Sequence, residues 1–270
     1  MTKRNIVAAG AAAVAAIAMV ASGPGLANHS WNGYHWQTVS GTATPLVVDN
    51  TVGAWKPRVA LAMQDWNQSQ HIDSQLTTGT TNQKRCAMTQ GTIQVCNASY
   101  GQTGWLGIAS ISLSGGHIVA GSTKLNDTYF ALQQYNTETW KQLVTCQEIG
   151  HDYGLGHQNE DFSTDLTTSC MEYTSQPSGN EHPDSHDYQQ LAAIYNHGEG
   201  GSSTSGGSSG GPGKGKPLGI EPGNGPAEWG KAIGHDKAGR PNEYVRNFNG
   251  YTIITHVTWA PHVKVPEVRH

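Results

Sequence analysis

The chain has 270 residues, room for one or two domains. Only 13% of them are charged, about half the usual share, while glycine is abundant at 34. A net charge of -4 gives no electrostatic ground for a nucleic acid or an anionic membrane as partner.

Residues 1–27 read as a secretory signal: Lys3 and Arg4 form a charged start, an alanine-rich apolar run spans 6–20, and Gly25-Leu26-Ala27 offers small residues for cleavage. The run is short for a spanning helix, and no other stretch is apolar enough to be one. Four cysteines, an even number, fit an oxidising compartment, so the expected location is extracellular. From Asn28 an aromatic, histidine-bearing segment, Trp31 to Trp36, leads into the first helix; it is too short to serve as a pro-segment.

That helix falls within Asp49 to Gln70. Trp55, Val59, Ala62, Met63 and Trp66 make a core stripe at helical spacing, and Pro57 fits the first turn, so the start lies near Trp55. Ile72 to Tyr100 is a loop-rich strand region in which Cys86 and Cys96 suggest a hairpin closed by a local disulfide, worth about 2–3 kcal/mol. A zinc site is the alternative there, but neither cysteine has a Cys-x-x-Cys partner. Trp105 to Ser114 alternates with Trp105, Ala109, Ile111 and Leu113 on one face; His117 to Leu125 alternates with Val119, Thr123 and Leu125 together. Ser114-Gly115-Gly116 turns between them, which predicts an antiparallel pair at a sheet edge. His117 reads as a surface histidine, with a secondary metal ligand as the alternative.

Asn136 to Thr139 supplies helix-start residues. The stretch that follows, Thr145 to Asp161, carries the chemistry. Trp140, Leu143, Val144, Gln147 and His151 share one helical face. Gln147 and His151 are four apart and can converge on one ion, with Glu148 near enough to touch a water on that ion. Gly154 can take a left-handed backbone, end the helix and let the chain present His157 to the same point.

Glu148, His151, Gly154 and His157 resemble the zinc helix of the metzincin metallopeptidases, His-Glu-x-x-His-x-x-Gly-x-x-His, with Gln147 where the family has its first ligand histidine. The resemblance spans about residues 49–197 and is nearest the matrixin-like branch. It implies an α/β fold: a mostly parallel twisted sheet with an antiparallel edge strand that binds peptide, a backing helix, a central helix and a small lower subdomain. It implies a Zn2+ cofactor held by His151, His157 and Gln147, and peptide-bond hydrolysis by a metal-activated water with Glu148 as general base. Cys170-Met171-Glu172-Tyr173 resembles the family's Met-turn, with Met171 beneath the metal and Tyr173 at the oxyanion. Cys146 directly precedes Gln147 and Cys170 directly precedes Met171, which pairs those two cysteines. For Gln147 three readings stand open. It ligates weakly, or a water, His182 or His186 fills in; the site has lost its metal and the fold is a binding module; or Glu148 and the two histidines hold iron or manganese as a carboxylate site.

Residues 181–197 close the domain, with a last helix beginning around His186-Asp187 and an apolar face of Tyr188, Leu191, Ile194 and Tyr195. The catalytic domain is thus 28–198. Residues 199–217 are a Gly/Ser-rich flexible linker. Residues 218–270 hold a strand-like Tyr251 to Trp259 and form a small β-rich appendage, too short to fold readily alone. It either lies on the catalytic domain or contacts a polymer or cell surface through its tryptophans. The expected partner is a protein or peptide substrate, with no nucleic acid, no membrane after signal removal, and a monomeric chain.

Overall fold

The computed structural model describes residues 28–38, 40–164, 167–197 and 215–261. The expected signal segment and most of the expected linker lie outside them. In chain order the elements are β1 (His35–Trp36), β2 (Leu46–Asp49), α1 (Trp55–Trp66), β3 (Leu76–Thr78), β4 (Thr92–Ala98), β5 (Trp105–Ser114) and β6 (His117–Asn126). Then follow α2 (Asp127–Phe130), α3 (Glu138–Asp152), α4 (Ser185–Tyr195), α5 (Pro226–Trp229), β7 (Lys231–His235), β8 (Pro241–Phe248) and β9 (Tyr251–Trp259).

The fold is mixed α/β, as expected, built on one sheet in the order β3-β2-β4-β6-β5-β9-β8-β7, with β1 pairing β6. Strands β1, β2, β3, β4 and β6 run parallel. Strand β5 is antiparallel to β6, as its turn predicts, but it is not an edge. Its other side pairs antiparallel with β9, from Trp105↔Trp259 to Leu113↔Thr252. β8 and β7 continue outward from β9. The residues expected to form a small β-rich appendage thus lie on the main sheet and extend it. The reason is chemical: an open edge such as β5 presents unpaired N–H and C=O groups, and β9 satisfies them.

Helix α1 starts at Trp55 with Pro57 in its first turn, and its stripe is buried against α3 and the sheet. Thr137 caps α3 by accepting the Trp140 N–H at 3.1 Å. Gly154, at φ +92°, ends it, and the Leu155 N–H returns to the Gly150 carbonyl. Asp184 and Asp187 form a capping box on α4.

One face assignment changes. The β5–β9 register shifts between Trp105 and Gly107, where β5 carries an extra residue. This bulge turns Trp105 away from the Ile111 side. Trp105 joins Ile108, Tyr100, Trp229, Tyr244, Val257 and Trp259 in a second core cluster. Trp229 and Trp259 are each 1% exposed, so neither offers a surface to a polymer. Both expected disulfides, Cys86–Cys96 and Cys146–Cys170, are present.

Candidate metal centre

Helix α3 is buried from Trp140 to Asp152, because it lies between α1 and the sheet. On such a helix a polar group that nothing answers is costly. Gln147 is answered completely. Its Nε2 donates to the Cys170 carbonyl (2.8 Å) and the Glu172 carbonyl (3.3 Å), and its Oε1 accepts from Thr258 Oγ1 (2.9 Å). The amide is thus committed to the Cys170–Glu172 segment on one side and β9 on the other, and it does not join the histidines.

The histidines that do converge are His151, His157 and His256, whose ligand nitrogens all lie within 4.8 Å of one another. Nε2 of His151 and Nε2 of His157 are 3.1 Å apart. Two nitrogens on a tetrahedral zinc at 2.0–2.1 Å would be about 3.3 Å apart. The far nitrogens of both rings are engaged: His151 Nδ1 with the Leu155 carbonyl at 2.8 Å, His157 Nδ1 with Glu160 Oε1 at 3.2 Å. Partners of this kind fix the tautomer and aim the other nitrogen at a metal. His256, on β9, is 2% exposed, and neither of its ring nitrogens has a hydrogen-bond partner. A buried imidazole with two orphaned nitrogens is costly unless something else binds it. Burial, reinforced by the neighbouring imidazoles, pushes His151 and His256 well below the usual histidine range. Both are held neutral, the form that ligates. The residues fit a zinc ion bound by three imidazoles.

Around this cluster the walls are aromatic. Trp31 stands edge-on to His151 (5.6 Å between centroids) and His256 (6.0 Å). Tyr173 lies 4.2 Å from the His157 ring and stacks on Phe162. Asn242, from β8, donates to both Glu160 Oε1 (3.0 Å) and the Tyr173 hydroxyl (3.4 Å), and that hydroxyl reaches the Val257 carbonyl at 3.4 Å. Met171 is fully buried, its sulfur packed beneath Gly150 so closely that a Cβ there would meet it at 2.5 Å.

Glu148 is fully buried, and neither carboxylate oxygen has a partner. Burial pushes its carboxyl well above the usual range; the Thr258 hydroxyl opposes this and Asp152 adds to it. It fits only because β5 has a glycine opposite: a Cβ on Gly107 would lie 2.6 Å from Glu148 Oε1. Asp152 is also fully buried beside the sheet, where Thr123 Oγ1 donates to its Oδ2 at 2.8 Å.

His182 and His186, the alternative ligands in the sequence, lie elsewhere. His182 Nδ1 is 2.7 Å from Asp65 of α1, and the His186 ring stands 4.6 Å from His29. His117 faces His35 across the β1–β6 pairing. The residue the sequence reading misses is His256. Its strand was legible, since alternation over Tyr251 to Trp259 places His256 and Thr258 on one face. Nothing local says which strand β9 would join across a Gly/Ser tether.

No family model and no curated protein matches the chain. Among solved structures, a structure of myroilysin is similar at 13% identity, covering 62% of this chain and 98% of that one, with a TM-score of 0.36. High choriolytic enzyme 1, a hatching enzyme zinc-protease from Oryzias latipes (Medaka fish), is similar at 13% identity over 61% of this chain and 95% of its own, with a TM-score of 0.33. These likenesses are of fold.

Proposed function

We propose that this chain is an exported zinc-dependent metalloendopeptidase of the metzincin kind. The observation that carries the reading is the buried convergence of His151, His157 and His256, with the outward nitrogens of the first two tied to Leu155 and Glu160. His151, His157 and His256 hold the ion, and Gln147 does not. When bound, zinc polarises a carbonyl and lowers the pKa of a coordinated water. Glu148 accepts the proton of the water that attacks the scissile carbonyl and delivers it to the leaving amine as the C–N bond breaks. The Tyr173 hydroxyl, oriented by Asn242, is the candidate donor to the oxyanion once its proton turns from the Val257 carbonyl. Met171 supports α3 from below through its contact at Gly150. The substrate is a protein or peptide, and the chain acts as a monomer. The signal reading of residues 1–27 supports export. No described helix is long and apolar enough to cross a membrane.

The test couples metal analysis to proteolysis on the full chain. About one zinc per chain is expected, with hydrolysis of an unfolded protein substrate. Glu148→Ala should retain the zinc and lose turnover by a factor of about 10²–10⁴, the range of a general base. Loss of zinc in that variant would instead make Glu148 a ligand. Unchanged turnover would remove it from the mechanism.

A further inference from the structure

We infer that the third metal ligand has been transferred from the helix to the C-terminal strand, and that Gln147 is now the positioning residue that sets it. This rests on the three-histidine zinc site proposed above. The geometry begins at the helix. Positions 147 and 151 are one turn apart on α3, and in β9 positions 258 and 256 are successive residues on one face. Thr258 Oγ1 donates to Gln147 Oε1 at 2.9 Å, and two residues before it His256 packs on His151, with ring centroids 4.2 Å apart. Each helix position thus has its own partner on the strand. A one-residue slip of β9 would turn both side chains to the opposite face of the sheet.

The bracket has a second arm. Gln147 Nε2 holds the Cys170 and Glu172 carbonyls, and the Cys146–Cys170 disulfide locks that turn to α3 beside it. A neutral histidine at 147 offers one donor and one acceptor, and as a ligand it would keep a single N–H, too few for Thr258 and both carbonyls at once. Glutamine has both an acceptor for Thr258 and donors for the two carbonyls. On β5 the residues opposite are small: Gly107 pairs with Thr258 and Ala109 with His256. The space over Gly107 is filled from α3 by Glu148 and Val144, so the helix lies close against this pair of strands. The departure from the zinc-helix pattern at 147 and the additional strand are therefore one change.

The test is zinc affinity by competition with a chromophoric chelator on the full chain, together with the visible spectrum of the cobalt-substituted protein. His256→Ala is expected to lose at least 10²-fold in affinity and to change the cobalt spectrum. Thr258→Val, which keeps the shape and removes the hydroxyl, should weaken binding about 10–100-fold, as loss of a supporting partner does. Thr258→Ser should restore it, which separates positioning from packing. Gln147→His combined with His256→Ala returns the ligand to the helix and should recover tight zinc binding. Wild-type affinity in His256→Ala, or equal affinity in Thr258→Val and Thr258→Ser, would overturn the inference while leaving a zinc site in place. A wild-type chain that takes up no zinc would overturn the zinc-peptidase reading together with it.

Discussion

A Cβ at Gly154 would run into the Tyr34 carbonyl, at a backbone φ of +92° that side chains rarely adopt. Both the clash and the strain act at the turn that sends the chain from His151 to His157. Gly154→Ala should therefore cost roughly 1–3 kcal/mol and disturb the metal site, read as a lower urea midpoint and weaker zinc binding. Lys124 supplies a prediction of the opposite kind. It is 1% exposed, its Nζ donates to the Gly223 carbonyl and Asn224 Oδ1, and burial lowers its pKa to about 8, Glu228 and Glu221 opposing. The unfolded chain keeps the proton up to about pH 10.4. Between about pH 8 and that value the unfolded state binds more protons, so this group makes stability rise with pH. The gain is about 3 kcal/mol across the window. The stability of the wild type minus that of Lys124→Met, from denaturant midpoints followed between pH 7.5 and 10, should rise with pH.

At the scale of elements, β5 is the informative strand. Its alternation and its turn into β6 are local, so both were legible. Its neighbour on the far side was not, because β9 arrives more than a hundred residues later. The bulge after Trp105 escaped for the same reason: it is set by the register with β9. Helix α3 shows the converse. Its cap, its apolar face and its glycine stop are short-range, and all are found where the sequence puts them. The Cys146–Cys170 disulfide ties this helix to the segment holding Met171 across 24 residues. Replacing both cysteines with alanine should lower stability by about 3 kcal/mol in the loop-entropy model. It should also loosen the Gln147 bracket, seen as a drop in zinc affinity larger than the alanine pair Cys86→Ala/Cys96→Ala produces.

For the whole molecule, the three histidines come from a helix, the loop after it and the last strand. A zinc ion held by all three would fasten both sides of the Gly/Ser-rich tether together. Ligands that bind only the native state raise its stability with the logarithm of their concentration. Chelation should accordingly lower the melting temperature, and added zinc should restore it, with the far-ultraviolet circular dichroism unchanged below the transition. A chain ending at residue 217 should behave worse than a chelated one. It would expose the edge of β5 and the apolar faces of Trp105 and Ile108, and is expected to aggregate on expression. Recovery of a soluble monomer that binds zinc tightly would contradict that account.

The local features were legible in the sequence: the helix carrying Glu148 and His151, the glycine that ends it, the placement of His157, both disulfides and the strand holding His256. Each depends on spacing within a few turns of chain or on neighbours in sequence, where periodicity and backbone sterics decide. Only the tertiary structure brings His256 to His151 and His157 and gives Gln147 its partners on β9 and at the Cys170 and Glu172 carbonyls. The contacts made by β9 follow from a strand pairing between residues more than a hundred positions apart, and a pairing of that kind is fixed by which open edge the folded sheet presents, a quantity no local pattern carries.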